Sequence, residues 1–153
     1  MYTKLLSMMM ILSIFNARLL YGSDRNFYQG EPAVGFQYDD GPQWSCICHQ
    51  TPHGNIPGKV NDRGEAYYSW GGKEHSCPQF EVVSGALIYY SEPLPSTCVP
   101  KGYQNDTGEF FYNAVIGSND GMVPGKAHVS LHDAFYPYGG KEHVAHVGFY
   151  IVC

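Results

Sequence analysis

Residues 57–60 read Pro-Gly-Lys-Val, and residues 66–75 read Ala-Tyr-Tyr-Ser-Trp-Gly-Gly-Lys-Glu-His. The same pattern returns as Pro-Gly-Lys-Ala at residues 124–127 and as Ala-Phe-Tyr-Pro-Tyr-Gly-Gly-Lys-Glu-His at residues 134–143. The offset is 67 residues at the first step and 68 at the second, so one residue has been gained between them. A match of this kind within one chain indicates internal duplication, which predicts two related structural units.

The duplication extends to both sides of this stretch. Upstream, Asp39 falls on Asp106 at the offset of 67. Downstream, Phe-Glu-Val-Val at residues 80–83 answers Phe-Tyr-Ile-Val at residues 149–152. Two copies are too few for a repeat array, so they predict a pseudo-symmetric pair in which any binding sites also come in pairs.

Short apolar and aromatic runs between glycines and prolines predict an all-β fold. After residue 22, no long stretch has the 3.6-residue apolar period of a helix. Loops are expected over residues 49–58 and 117–125, which are rich in glycine and proline. We predict a single domain in which a first repeat (residues 23–84) and a second repeat (residues 85–153) form small antiparallel sheets, packed like a sandwich around an approximate two-fold axis.

The first residues have the layout of a secretory signal. Residues 1–4 carry one positive charge, residues 5–15 are mostly apolar, and Ala17 and Gly22 mark two alternative cleavage points. The apolar run is shorter than the roughly 20 residues that a membrane span needs. We predict a signal peptide over residues 1–22, a secreted protein, and no membrane span after signal removal; an uncleaved anchor or a buried first helix is the alternative.

The charge balance argues against two classes of partner. Removal of the signal takes away Lys4 and Arg18, which leaves seven Lys and Arg against fourteen Asp and Glu, a net charge near −7. Such a chain lacks the basic footprint of a nucleic-acid-binding protein. It also lacks the polybasic segment that holds proteins on anionic membranes. Nucleic acid and charged membranes are therefore not expected as partners.

The chain beyond the signal contains five cysteines: Cys46, Cys48, Cys77, Cys98 and Cys153. In a secreted chain some should be bridged, and an odd number leaves at least one free or paired between chains. Cys46 and Cys48 would face the same side of a strand, so they are poorly placed to bridge each other. The pattern does not choose among the other pairings, and it allows a homodimer.

Paired Asp and Lys residues are the main candidates for ligand binding. Asp39 precedes Lys59 by twenty residues, and Asp106 precedes Lys126 by twenty. A carboxylate can accept hydrogen bonds from two neighbouring hydroxyls, and an ammonium can donate to the same hydroxyls. The pairs therefore fit a neutral sugar. The structural alternative is a turn-capping Asp with a surface Lys, whose exposed salt bridge would contribute roughly 0–1 kcal/mol.

The repeated Gly-Gly-Lys-Glu-His segment invites a comparison with metal sites. Zinc peptidases carry His-Glu-x-x-His on a helix, whereas here the order differs and no helix is indicated. We expect each Glu to accept hydrogen bonds from turn backbone groups, with Lys and His at the surface. The chain also lacks a P-loop, a dinucleotide fingerprint and a nucleophile elbow, so we expect no enzyme activity, cofactor or metal.

Asn105-Asp106-Thr107 forms an N-glycosylation sequon on an expected turn. A glycan on Asn105 would stand beside Asp106 and obstruct the second site. Asp39 has no such neighbour.

At these residues the chain resembles the DM-nine repeat family of invertebrate lectin-like proteins, whose repeat also occurs in natterin-type toxins. The Pro-Gly-Lys step and the Gly-Gly-Lys-Glu-His segment of both repeats carry the resemblance. It implies a β-rich fold of two pseudo-symmetric repeats and recognition of mannose-type sugars in innate immunity. It also implies that an Asp in the turn before the central strand and the Lys of the Pro-Gly-Lys step hold the sugar, which are Asp39 and Lys59 in the first repeat.

The second repeat departs from the family pattern. The family's Gly-x-Asp reads Gly102-Tyr103-Gln104, so Asp106 stands in as the acidic partner of Lys126. The sequence thus predicts a secreted, non-enzymatic carbohydrate-binding protein with up to two sites. Trp70 and Tyr138 are candidate platforms for the apolar face of a sugar. The alternatives are a secreted interaction or structural protein that does not bind sugar, and a toxin-related component.

Overall fold

A computed structural model describes residues 27–91, 93–129, 132–146 and 148–153. The predicted signal peptide over residues 1–22 lies outside them. All regular elements of the described ranges are β-strands, which confirms the all-β prediction. Within these ranges there is no helix long and apolar enough to cross a membrane.

The strands are numbered in chain order. The first eight are β1 (Phe27–Tyr28), β2 (Glu31–Pro32), β3 (Gly35–Gln37), β4 (Gly41–Thr51), β5 (Gly54–Asn61), β6 (Ala66–Trp70), β7 (Lys73–Ser76) and β8 (Phe80–Val83). The others are β9 (Leu87–Tyr89), β10 (Gly102–Gln104), β11 (Phe110–Ser118), β12 (Gly121–His128), β13 (Asp133–Tyr138), β14 (Lys141–Ala145) and β15 (Phe149–Val152).

The strands of the two halves of the chain are paired in the same way. Strands β4 to β7 follow one another as an antiparallel meander, and β8 returns to pair with β4. Strands β11 to β14 form a second meander, and β15 returns to pair with β11. The short β3 precedes the first meander and β10 precedes the second.

Pairs between the halves close the sheet. Strand β3 bonds to β12 as well as to β4, and β7 bonds to β14. The result is a closed ring of eight strands in the order β4-β3-β12-β13-β14-β7-β6-β5. Strand β10 makes the reciprocal link, between β11 and β5. The expected sandwich of two separate sheets does not match this connectivity, because hydrogen bonds run continuously from one half into the other.

The loops expected over residues 49–58 and 117–125 are wrong, since each Pro-Gly step lies inside a strand. Strand β5 pairs first with β10 and then with β6, and Pro57 stands where the partner changes. One side of the strand is unpaired there, and proline in sheets is confined to such edge-like positions. Strand β12 changes partner in the same way, from β3 to β13, around Pro124.

The glycine after each of these prolines is required by a close contact. A Cβ on Gly58 would lie 2.2 Å from the carbonyl oxygen of Tyr67. A Cβ on Gly125 would lie 2.0 Å from the carbonyl oxygen of Phe135. Only glycine allows the next strand to approach this closely. The Pro-Gly pair thus sets the position of the lysine that follows it.

Three apolar clusters form the core. One surrounds Trp44 in the first half and one surrounds Phe149 in the second, while a third, with Val34 and Met122, packs between strands of both halves. Disulfides join Cys48 to Cys77 and Cys98 to Cys153, while Cys46 is free and buried. Cys46 and Cys48 therefore do not bridge each other, as their spacing predicts.

Candidate functional site

Lys59 lies inside the molecule, with only 3% of its surface exposed. Its Nζ donates to Gln37 Oε1 at 2.8 Å and to the carbonyl oxygen of Pro137 at 2.6 Å. Glu74 Oε2 lies 3.2 Å from the same nitrogen. Burial lowers the pKa of Lys59, and the charge of Glu74 opposes that shift. Three partners match the three N–H donors of an ammonium, so the protein itself saturates this group.

Gln37 connects Lys59 to the predicted acidic residue Asp39. Its Nε2 donates to Asp39 Oδ1 at 2.7 Å, and the hydroxyl of Tyr138 donates to Asp39 Oδ2 at 3.0 Å. A carboxylate has about four lone-pair positions. Asp39 is exposed, so each oxygen keeps capacity for a further hydrogen bond. The hydrogen bond to Asp39 raises the pKa of Tyr138, which keeps the phenol protonated.

These groups open onto a pocket of about 260 Å³, which we call the first site. The rings of Tyr67 and Tyr138 lie 5.7 and 5.8 Å from Lys59 Nζ. Both halves of the chain contribute to the wall, so the pocket exists only when they are assembled. It is lined by Gln37, Asp39, Asp40, Lys59, Asn61, Arg63, Glu65, Tyr67, Glu74, Tyr138 and Gly139.

A charged network forms one wall of the first site. Arg63 donates to Asp40 through Nη2 and to Glu65 Oε1 through Nε, the latter at 2.7 Å. Gln43 and Asn61 also donate to Asp40. Burial raises the pKa of Asp40, but the hydrogen bonds from Arg63, Gln43 and Asn61 outweigh it and hold that pKa below its ordinary value. The network engages Asp40 and Glu65, whereas Asp39 accepts only from Gln37 and Tyr138 among the described residues.

Lys126 occupies the equivalent place in the second half and is 4% exposed. Its Nζ donates to the carbonyl oxygen of Ser69 and lies 3.0 Å from Glu142 Oε2. Burial lowers its pKa, with Glu142 opposing the shift. Ser69 and Pro137 correspond at the offset of 68. Each lysine is therefore bonded to the same strand position of the opposite half.

The environment of Lys126, which we call the second site, differs from the first site on the side that faces solvent. Asp106 accepts a hydrogen bond from Gln104 at 2.7 Å, but within the described residues no hydrogen bond joins Gln104 to Lys126. The ring of Trp70 lies 4.4 Å from Lys126 Nζ, and the ring of His53 stacks on Trp70 at 4.5 Å with an interplanar angle of 11°. The structure thus links Asp39 to Lys59 and does not link Asp106 to Lys126 in the same way.

The two Gly-Gly-Lys-Glu-His segments form hydrogen bonds with each other and so connect the two halves. Glu74 Oε1 accepts from the backbone N–H of Gly140 at 3.4 Å, and Glu142 Oε1 accepts from that of Gly72 at 3.2 Å. The glutamates therefore do accept from turn backbone groups, but from the turn of the other half. A search of the described ranges for His, Cys, Asp and Glu clusters that could hold a metal finds none.

Gln37 is a site residue that the paired Asp and Lys pattern does not predict. The first half reads Gly35-Phe36-Gln37 where the second reads Gly102-Tyr103-Gln104, so glutamine occupies the Gly-x-Asp position in both. The offset of 67 makes this parallel visible without a structure. Asn105, the sequon residue, is exposed, and its backbone N–H donates to the carbonyl oxygen of His53 at 2.9 Å.

A closed antiparallel sheet of two similarly paired halves, with a buried lysine at each Pro-Gly-Lys step, defines an all-β class of duplicated proteins. The chain belongs to the DM9 repeat family, whose model matches residues 45–145. None of the curated proteins compared with this sequence matches it.

The fold is similar to the crystal structure of the nematode sperm cell motility protein MFP2B, with a TM-score of 0.53 and 20% sequence identity. The match covers 84% of this chain and 38% of that protein, so the chain spans well under half of MFP2B. At this level of identity the likeness concerns the fold alone.

Proposed function

We propose that this protein is a secreted, non-enzymatic lectin that binds neutral, mannose-type glycans at the first site. The observation that carries the proposal is the exposed carboxylate of Asp39, held by Gln37 and Tyr138 at the mouth of a polar pocket. Vicinal hydroxyls of a sugar would donate to its two oxygens. The ring of Tyr138 would offer a surface to the sugar's apolar face.

In this proposal Lys59 acts from behind the sugar-binding surface. Its ammonium is saturated by protein groups, so it orients Gln37, which in turn orients Asp39. A small site of this kind binds weakly, so useful avidity would come from multivalent glycans together with a second site or a homodimer. Asp106 and Lys126 would supply the second site, with a glycan on Asn105 obstructing it.

The rest of the proposal concerns organisation and setting. Residues 1–22 would be a signal peptide, followed by tandem repeats over residues 23–84 and 85–153. Two disulfides favour an oxidising compartment, which supports secretion. The acidic balance of the chain disfavours nucleic acid and charged membranes as partners. The resemblance to the DM9 repeat family supports a role in innate immune recognition as part of this proposal.

A glycan array with the wild-type protein and two variants tests the proposal. Asp39→Asn removes the exposed charge while keeping the shape of the side chain, and Asp106→Asn is the matched control in the second half. We expect selective binding to mannose-type glycans that is lost in Asp39→Asn, whereas Asp106→Asn keeps binding at the first site and loses at most the avidity that a second site adds. If Asp39→Asn bound mannose-type glycans as well as Asp106→Asn does, the first site would not be the sugar-binding site.

The second candidate is an interaction protein that does not bind sugar. The stacking of His53 on Trp70 favours it, because this covers one of the two predicted aromatic platforms. A folded wild-type protein that binds no glycan on the array would select this candidate.

A further inference from the structure

Lys73 and Lys141 face each other where the two halves meet. They are register partners on the antiparallel strands β7 and β14, and both are exposed. Residues directly opposite in such a pair have Cβ atoms roughly 4.5–5.5 Å apart, and like charges there are destabilising. The chain has only nine Lys and Arg residues and a net charge of −5, so two adjacent positive charges require an explanation.

Other residues of the Gly-Gly-Lys-Glu-His segment have structural roles within the fold. The glycines take positive φ angles in the turns, at +60° and +82° for Gly71 and Gly72. Glu74 pairs with the buried Lys59 and accepts from the opposite turn. His75 bonds the carbonyl oxygen of Trp70 through Nε2. Among the described residues, the side-chain ammonium groups of Lys73 and Lys141 form no ion pair or hydrogen bond, and the two residues are held only by backbone pairing.

The lysine is nevertheless retained in both copies, although neighbouring positions have diverged. At the offset of 68, Ser69 corresponds to Pro137, Trp70 to Tyr138 and Ser76 to Val144. Divergence on both sides shows that duplication alone does not preserve identity here. Two adjacent lysines, one from each copy, that have no anionic partner within the described residues indicate an anionic ligand outside the protein.

We propose that Lys73 and Lys141 together bind a phosphate or sulphate ester group on a glycan, a proposal that rests on the proposed function for its glycan part. The lysine ammonium is a compact point charge that suits a tetrahedral oxyanion, whereas planar carboxylates are better matched by arginine. There is room for such a group, since a Cβ placed on Gly71, Gly72, Gly139 or Gly140 would meet nothing within 4 Å.

The position of the lysine pair relates it to the first site. Lys141 is the register partner of Tyr138, which lines that pocket together with Gly139. A glycan whose neutral sugar lies on Asp39 would therefore have a neighbouring oxyanion ester near the lysines. The site would add affinity for charged glycans and leave affinity for neutral ones unchanged.

Binding to a phosphorylated mannan, to a sulphated mannan and to the same mannan without esters tests this proposal. The variant Lys73→Gln/Lys141→Gln removes the pair, and Lys101→Gln is the control for loss of an exposed lysine. We expect the double variant to lose about tenfold in affinity for the esterified mannans at low salt, since each exposed charge contributes modestly. Its affinity for neutral mannan should equal that of the wild type. The arm with the larger loss identifies phosphate or sulphate as the preferred ester.

Two results would overturn the lysine site while leaving the lectin proposal intact. One is equal wild-type affinity for the three mannans, and the other is an unchanged affinity of the double variant for the esterified ones.

A thermal unfolding measurement makes the test independent of sugar binding. For each protein, the melting temperature is measured in sodium chloride and in sodium sulphate at the same ionic strength. We expect the increase from chloride to sulphate to be larger for the wild type than for the double variant. The difference between these two increases excludes the general stabilising effect of sulphate, which both proteins share. Equal shifts in both proteins would overturn the oxyanion site, even if the wild type bound no mannan.

Discussion

At the residue scale, the buried Lys59 should govern stability as well as the geometry of the first site. Replacing Lys59 with Met leaves Glu74 without its cationic partner in a largely buried position. Breaking a buried ion pair from one side costs about 3–5 kcal/mol. We expect Lys59→Met to lower the free energy of unfolding by about that amount, as measured by urea denaturation.

Lys101→Met is the control for this prediction, because Lys101 is exposed and should change stability by less than about 0.5 kcal/mol. The double variant Lys59→Met/Glu74→Leu should lose less than Lys59→Met alone, since no charge is left unpaired. Unchanged stability of Lys59→Met would show that the ammonium is solvated. The burial also means that loss of sugar binding on Lys59 substitution would not by itself identify a contact with sugar.

Asp40 should make stability depend on acid pH. Its pKa in the folded state lies below the ordinary value of 3.8, so the unfolded chain binds more protons in the window between the two. Its contribution to stability is complete above the ordinary pKa and is lost as pH falls through the folded value. We expect Asp40→Asn to show a shallower loss of unfolding free energy than the wild type as pH falls from about 5 to about 2.

Urea denaturation at a series of pH values measures this difference, with Asp106→Asn as the control for removal of an exposed carboxylate. Parallel curves for the wild type and Asp40→Asn would rule out Asp40 as a source of the acid sensitivity.

At the element scale, the position of each cysteine on strand β4 determines whether it forms a disulfide. Cys48 reaches Cys77, whereas Cys46 lies opposite Gly58 on one neighbouring strand and Val82 on the other. Cys46 is fully buried, and burial raises the pKa of its thiol. Since the thiolate is the reactive form, Cys46 should resist thiol reagents in the folded protein.

Labelling with iodoacetamide followed by mass spectrometry tests this. We expect no label on the native protein, one label per chain after denaturation without reductant, and five after reduction. Rapid labelling of the native protein, or a bridge at Cys46, would contradict the assignment.

Elements also show where local sequence misleads. Glycine and proline at residues 57–58 read as a loop, yet they lie within β5 because that strand changes partner there. The short apolar and aromatic runs of β6 and β8, by contrast, form strands as the all-β prediction expects, since their pattern is local. Strand prediction thus works where each residue's environment depends on its near neighbours.

At the scale of the whole molecule, duplication predicts the correspondence of positions but not how the halves join. The joining strands β3 and β10 are three residues long, and each has one of its two partner strands in the opposite half. Nothing in three residues specifies a partner that lies roughly fifty or more residues away. Burial of Lys59 escaped prediction for the same reason, because lysine is rarely buried without a partner and its acceptor on Pro137 lies in the opposite half.

This interlocking predicts that neither half is an independent folding unit. A fragment of residues 27–91 would lose the partners of β3 and β5 in the second half and the carbonyl oxygen that accepts from Lys59. We expect it to lack cooperative urea unfolding as a monomer and to gain it only as a dimer, in which a second copy takes the place of the missing half. Light scattering with denaturation measures both properties. Mixing with a fragment of residues 93–153 should convert the dimer into a one-to-one complex, because the native cross-pairs β3–β12 and β10–β5 can then form. A fragment that unfolds cooperatively as a monomer would show that ring closure contributes little to stability.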